Sequence, residues 1–245
     1  MENKTQILVE LKNVVKSFGN NHVLQKMNLQ LNKGENLVIL GKSGSGKSVL
    51  IKCLVGLIDV DQGDMMVFDK KVNEISLDEL NEMRKKIGFL FQSGALYDSM
   101  SVRENLEFHL RDKKDQDQAE KDKLVEETLE GVGLLEAIDK MPSELSGGMR
   151  KRLGLARTLI QHPEIMLYDE PTTGLDPITS KEISKLIRKV QKEHQTSSII
   201  ITHDIECARL THDRIVVIDE GKVIEEGTFD KLTKSKNETV RSFFE

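Results

Sequence analysis

The sequence predicts an α/β fold built on a mostly parallel core sheet, and three observations carry that expectation. An apolar run at 36–40 leads straight into the glycine-rich loop Gly41-Lys42-Ser43-Gly44-Ser45-Gly46-Lys47-Ser48, and a helical pattern follows over 47–57. Four more apolar runs, 87–91, 165–168, 198–202 and 214–218, show no polar alternation. Strands of that kind are covered on both faces, as in a parallel sheet flanked by helices. Between the third and fourth of these five strands, Ile183, Leu186, Ile187 and Val190 recur at helical spacing.

The remaining elements follow in chain order. Residues 7–11 and 29–31 read as strands of a separate, antiparallel N-terminal sheet. Ser76-Leu77-Asp78-Glu79 is a capping box and opens a helix running to Lys85. The strand at 87–91 ends at Gln92. Over 93–157 strand signals vanish and a charged helical texture takes over, most clearly at 112–130, which predicts a helical insert between two halves of the sheet. Within it, Lys113-Lys114-Asp115-Gln116-Asp117 reads as a solvated helix start or loop. Gly221 and Gly227 bracket a last hairpin-like segment. The whole, 1–245, is expected to be one domain: a core at about 1–92 and 159–229, a helical subdomain at about 93–158 and a tail at 230–245.

Bulk properties narrow the function classes. The 245 residues suffice for a full α/β core, and 38% hydrophobic with 31% charged residues is ordinary for a globular protein. A net charge of −5 gives no global argument for nucleic acid. Cys53 and Cys207 have no metal-type neighbours, so both read as reduced thiols of a cytosolic protein. No stretch reaches the roughly 18 apolar residues that span a bilayer. The start, Met1-Glu2-Asn3-Lys4-Thr5-Gln6, lacks the apolar core of a signal peptide. Any service to a membrane is therefore expected to run through a partner.

The loop 41–48 fits the pattern Gly-x-x-x-x-Gly-Lys-Ser/Thr in the strand–loop–helix context that a phosphate loop requires. Its backbone N–H groups would face phosphates, Lys47 would reach the β- and γ-phosphates, and Ser48 would ligate Mg²⁺. Ile165-Met166-Leu167-Tyr168-Asp169-Glu170 is an apolar strand ending in two acids. Carboxylates are costly there unless a cation and a water need them. Asp169 is placed to hold Mg²⁺ through water and Glu170 to polarise the attacking water. His203 follows the run 199–202 and would bond the γ-phosphate and orient Glu170. Gln92, also at a strand end, is a candidate Mg²⁺ and water ligand. Phe18 is either a core aromatic or an exposed ring that stacks on adenine.

A second phosphate-type motif decides the kind of machine. Leu145-Ser146-Gly147-Gly148-Met149 opens a helix, and a helix N-terminus attracts phosphate through free N–H groups and its dipole. The chain already holds one phosphate cradle, so a second suggests two copies that each close on the other's ATP.

Taken in order, Phe18, 41–48, Gln92, 145–149, 165–170, Leu175-Asp176 and His203 resemble the nucleotide-binding subunits of ABC transporters, over nearly the whole chain. The resemblance implies a P-loop NTPase of ABC type, hydrolysing ATP with Mg²⁺. It implies nucleotide contacts from Phe18, 41–48, Val49, Ser146, Gly147, Gly148 and Asp176. Catalytic groups would be Glu170, His203 and Gln92, and metal ligands Ser48, Gln92 and Asp169. Two copies would sandwich two ATP molecules head to tail, with Asp176 coupling the sites. The segment after Gln92 would meet a cytoplasmic helix of a transmembrane permease. The runs 92–97, 145–149 and 168–178 are similar to the ATPases of Mla-type phospholipid transport systems, which work with MCE-domain proteins. Met149, where most ABC ATPases carry glutamine, is shared with that group. The expected place is cytoplasmic, on the inner face of the cell membrane, held by the permease. The competing reading is an ABC ATPase with a mechanical or scaffold role, of cell-division or iron–sulfur assembly type. A DNA-repair ATPase is disfavoured, because only about 120 residues without sustained heptads separate Lys47 from Asp169.

Overall fold

The computed structural model describes residues 6–111 and 117–245. The start of the N-terminal stretch, 1–5, and residues 112–116 of the charged run lie outside the described residues.

Two sheets organise the chain. In the first, β1 (Ile7–Phe18) pairs antiparallel with β2 (Asn21–Asn32). The central sheet begins with β3 (Asn36–Leu40), and α1 (Lys47–Leu54) follows the glycine loop. The chain then returns to the first sheet as β4 (Gln62–Val67) and β5 (Lys70–Lys71), giving the order β2-β1-β4-β5. Next come α2 (Leu77–Lys85) and β6 (Ile87–Leu90). Three helices, α3 (Val102–Glu107), α4 (Gln118–Gly131) and α5 (Gly147–Leu159), separate β6 from β7 (Ile165–Asp169). Then follow α6 (Pro177–His194), β8 (Ser197–Thr202), α7 (Ile205–Thr211), β9 (Arg214–Asp219) and β10 (Lys222–Gly227). The second sheet has the order β10-β9-β3-β8-β7-β6, parallel throughout except for the β9–β10 hairpin. Short helices α8 (Phe229–Leu232) and α9 (Glu238–Arg241) end the described chain.

The unbroken apolar strands are explained by two separate cores. Val38, Leu40, Met166, Tyr168 and Ile200 enter the core shared with the helices. Their neighbours Leu37, Ile39, Ile165, Leu167, Ile199 and Ile201 enter the core between the two sheets. Successive side chains point to opposite faces, so a strand buried on both sides needs apolar residues at every position. The predicted face of α6 is likewise buried at Ile183, Leu186, Ile187 and Val190.

Some sequence expectations change. The helix after the loop stops at Leu54 rather than 57, because Gly56 takes a left-handed φ of 65°. The first two strands reach 12 residues each, well beyond 7–11 and 29–31. The strands β4 and β5 had no sequence signal. The region 93–157 is helical in α3, α4 and α5, yet much of 132–146 is short 3₁₀ turns and loop. Among the described residues no helix is long and apolar enough to cross a membrane.

Candidate functional site

The carboxyl ends of β3, β8, β7 and β6 stand side by side, and ligands of open α/β sheets bind at that edge. A cleft of about 850 Å³ opens there. Its lining includes Phe18, Lys42, Ser43, Gly44, Gly46, Lys47, Ser48, Val49, Gln92, Glu170 and His203, so most sequence candidates converge. Gly41 and Ser45 are buried within the loop, and Asp169 is half-buried beside Ser48.

The loop is shaped by contact with the first sheet. Gly46 has φ 96°, and a Cβ there would fall 2.6 Å from the carbonyl oxygen of Val23 on β2. Only glycine fits both demands. Lys47 is 6% exposed; its Nζ donates to the carbonyl oxygens of Gly41 at 2.6 Å and Lys42 at 2.9 Å. The same amine lies 3.8 Å from Oε1 of Glu170. Burial pushes its pKa down, while the Glu170 and Asp169 carboxylates oppose that shift.

The acids stand at the end of β7. The Ser48 hydroxyl donates to Oδ1 of Asp169 at 3.3 Å. Burial pushes the Asp169 carboxyl up, and the Ser48 hydrogen bond pulls it back. Glu170 turns off the strand with φ 51°, a left-handed conformation uncommon in a carboxylate residue. Its N–H donates to the carbonyl of Ile201 on the neighbouring β8, which fixes the turn. Its Oε2 lies 2.8 Å from Nδ1 of His203 and accepts at 3.4 Å from both the His203 N–H and the Thr173 hydroxyl.

A nucleoside triphosphate fits this cradle. The N-terminus of α1 points a positive dipole end at it, Lys47 supplies charge, and the buried Ser45 hydroxyl has no partner among the described residues. The oxygen donors Ser48 and Asp169 suit a hard divalent cation. Among the described residues no three His, Cys, Asp or Glu side chains form a metal cluster, so phosphate and water oxygens would complete such a site.

Ser146, Gly147, Gly148 and Asp176 are not brought into the cleft. They form a separate patch. Ser146 caps α5 by accepting from the Met149 N–H at 3.3 Å. Asp176 caps α6, accepting from the N–H groups of Ile178 and Thr179 at 3.0 Å each. Bonds from the Thr179 hydroxyl and these N–H groups hold its carboxyl below the usual range. The two caps touch, for a Cβ on Gly148 would meet Cγ2 of Thr179 at 2.5 Å.

Three further places bear on the cleft. Phe18 is 49% exposed at the cleft edge, where the stacking reading needs it, with the Lys16 amine 5.3 Å from its ring centroid. The run Arg150-Lys151-Arg152 contains a buried cation: Lys151 is 7% exposed and donates to the carbonyl of Gln92 at 2.5 Å. Phe243 and Phe244 do pack against the core, but Phe243 and Ser242 also line the cleft, with the Lys42 amine 6.0 Å from the Phe243 centroid. No local pattern signalled these last two, because both depend on distant segments folding back.

The comparisons with known proteins agree with this geometry. The family described as ABC transporter matches residues 24–173. Protein TRIGALACTOSYLDIACYLGLYCEROL 3, chloroplastic, of Arabidopsis thaliana is 38% identical over 260 residues, 99% of this chain and 75% of that protein. The intermembrane phospholipid transport system ATP-binding protein MlaF of Haemophilus influenzae is 37% identical over 238 residues, 97% of this chain and 90% of that one. The glutamine transport ATP-binding protein GlnQ of Escherichia coli is 38% identical over 228 residues, 93% and 94% of the two chains. Among solved structures, the dimeric post-hydrolysis state of the ATP-binding cassette MJ0796 with ADP and Pi superposes with a TM-score of 0.80. It is 33% identical, covering 90% of this chain and 98% of that one. ABC ATPases of this kind pair with each other and work with a transmembrane permease. The chain belongs to the ABC transporter family and is an ATP-binding, ATP-hydrolysing transporter subunit.

Proposed function

We propose that this ATPase drives phospholipid transport between membranes, in a complex with a permease and an MCE-domain protein. The observation that carries the reading is the match to MlaF over 97% of this chain and 90% of that protein. The similar identity of GlnQ makes the cargo the point to test. The relatives named above that carry a transport description are transporter subunits, which favours transport over a mechanical or scaffold role. The ATPase would sit in the cytoplasm against the inner face of the membrane, held by the permease.

The geometry supports a role for each residue. Phe18 offers an exposed face for adenine at the cleft edge. Phosphates would displace the loop carbonyls from the Lys47 amine and take the loop N–H groups, Ser43 and Ser45 as partners. Ser48, Asp169 and Gln92 would hold Mg²⁺, which would neutralise charge on the β- and γ-oxygens. Glu170 accepts the proton of a water that it and His203 orient. Its left-handed backbone and the bond to Ile201 fix where that carboxylate points. Ser146 to Gly148 are remote from the cleft of their own chain, so they would close on the nucleotide of a second copy, head to tail.

Copurification from gently solubilised membranes tests the reading. A multispanning permease together with an MCE-domain protein is the expected result. A permease of amino-acid type alone would discard the lipid assignment, and soluble partners alone would favour the scaffold role.

A further inference from the structure

The buried cations of α5, Lys151 and Arg157, each donate to a main-chain carbonyl. We propose that Lys151 and Arg157 are positioning residues which clamp the carbonyls of Gln92 and Ala95 onto α5, and so aim the Gln92 side chain into the cleft. The proposal rests on the reading of Gln92 as a metal and water ligand.

The contact is a built one. Residues 151, 154 and 157 form one i, i+3, i+6 row, and such a row makes a slanting ridge along a helix. The segment after β6 lies along that ridge. Lys151 donates to the Gln92 carbonyl at 2.5 Å, and Arg157 donates to the Ala95 carbonyl. Between them Gly154 leaves space for the main chain: a Cβ there would stand 3.2 Å from both the Cα and the oxygen of Gly94. The segment turns sharply, with φ 78° at Gly94 and 47° at Ala95. A left-handed alanine is disfavoured and persists only where its surroundings hold it. Arg157 is itself held: its guanidinium lies 4.7 Å from the centroid of Tyr97, and Nη2 lies 3.3 Å from Nε2 of His109.

The energetics argue against a purely stabilising role. Lys151 is 7% and Arg157 8% exposed, and burying a cation is costly unless it is well bonded. Well-packed apolar residues often serve stability as well or better. What the charges add is direction, because each fixes one carbonyl at one point. Burial pushes the Lys151 pKa down, and the carboxylates of Asp169 and Glu170 oppose that, so the clamp and the acids share one electrostatic neighbourhood.

The test compares Lys151→Met, Lys151→Arg and Gln92→Ala in the full chain. Hydrogen–deuterium exchange without nucleotide reads the clamp. Losing one charged hydrogen bond should speed exchange over 92–97 roughly tenfold in Lys151→Met, with 153–159 unchanged and Lys151→Arg close to the parent. The Mg²⁺ concentration for half-maximal ATPase activity reads the aim. It should rise several-fold in Gln92→Ala and Lys151→Met, and less in Lys151→Arg. Unchanged exchange over 92–97 in Lys151→Met overturns the clamp, as does faster exchange with an unaltered Mg²⁺ requirement when Gln92→Ala does alter it. An unaltered requirement in Gln92→Ala overturns instead the role of Gln92. Should Lys151→Met fail to fold, Lys151→Gln keeps a neutral donor of similar reach and the same outcomes decide.

Discussion

His203 and Glu170, 33 residues apart in sequence, meet at 2.8 Å through Nδ1 and Oε2 because β8 and β7 are neighbours in one parallel sheet. The pair stands at the carboxyl edge of both strands, above a lysine buried under the phosphate loop. Glu170→Gln keeps the shape and a hydrogen bond but loses the base. We expect retained ATP binding, turnover reduced on the order of 10²–10⁴-fold, and a dimer that persists with ATP. Phosphate release and light scattering measure both; normal turnover would remove Glu170 as the base.

Lys47→Ala tests the cradle separately from the base. The amine now bonds Gly41 and Lys42 carbonyls and is available to phosphate oxygens. A lost charge-assisted contact should weaken ATP binding roughly ten- to a hundredfold. The thermal shift on adding ATP should shrink accordingly. An unchanged shift would count against the loop as the phosphate site.

His109 gives a pH prediction with a definite sign. Burial, and secondarily the nearby Arg157 charge, depress its pKa to about 4. The unfolded chain takes up that proton near pH 6.5. This contribution to stability is therefore full above about 6.5 and is lost as pH falls towards 4. Urea unfolding of the parent and His109→Gln should show the parent losing stability relative to the variant between those limits. A difference independent of pH would contradict the shift.

Tyr168 is fully buried, and its hydroxyl has no partner among the described residues. Removing an unpartnered buried hydroxyl is neutral or stabilising, by up to about 1 kcal/mol. Tyr168→Phe should thus raise or preserve the urea midpoint. A clear loss would reveal a bonding partner for the hydroxyl.

Burial pushes the Cys53 thiol up to about 11 and Cys207 to about 12. A thiolate is the reactive form, so the folded protein should label slowly with a thiol reagent and rapidly in denaturant. Fast labelling of native protein would show an open path to one of them.

The central strands were legible because burial on both faces forces unbroken apolar runs. The loop and the acids were legible for a related reason: glycine and carboxylate are conspicuous at the ends of such strands. By contrast, β4 carries exposed Gln62 and Asp64 and has no pattern of its own; it exists through pairing of Met65 with Leu11 and Val67 with Val9. Lys151 stands between two arginines in sequence, and its burial depends on the segment 92–95 lying across α5. The position of Phe243 depends on a tail tied back where the Ser235 hydroxyl donates to Glu225 at 2.5 Å. Long-range contacts of this sort leave no trace in local periodicity.

In the proposed arrangement one chain supplies half of each nucleotide site, and Ser146 completes the cleft of a second copy. Ser43 and Ser146 are both exposed, and the two native cysteines are buried. Chains carrying Ser43→Cys and Ser146→Cys in the Glu170→Gln background can be mixed and oxidised with or without ATP. A disulfide-linked dimer that forms readily with ATP and Mg²⁺ and poorly without them is the predicted result. The same yield in both conditions, or no cross-link at all while ATP is bound, would contradict the shared site.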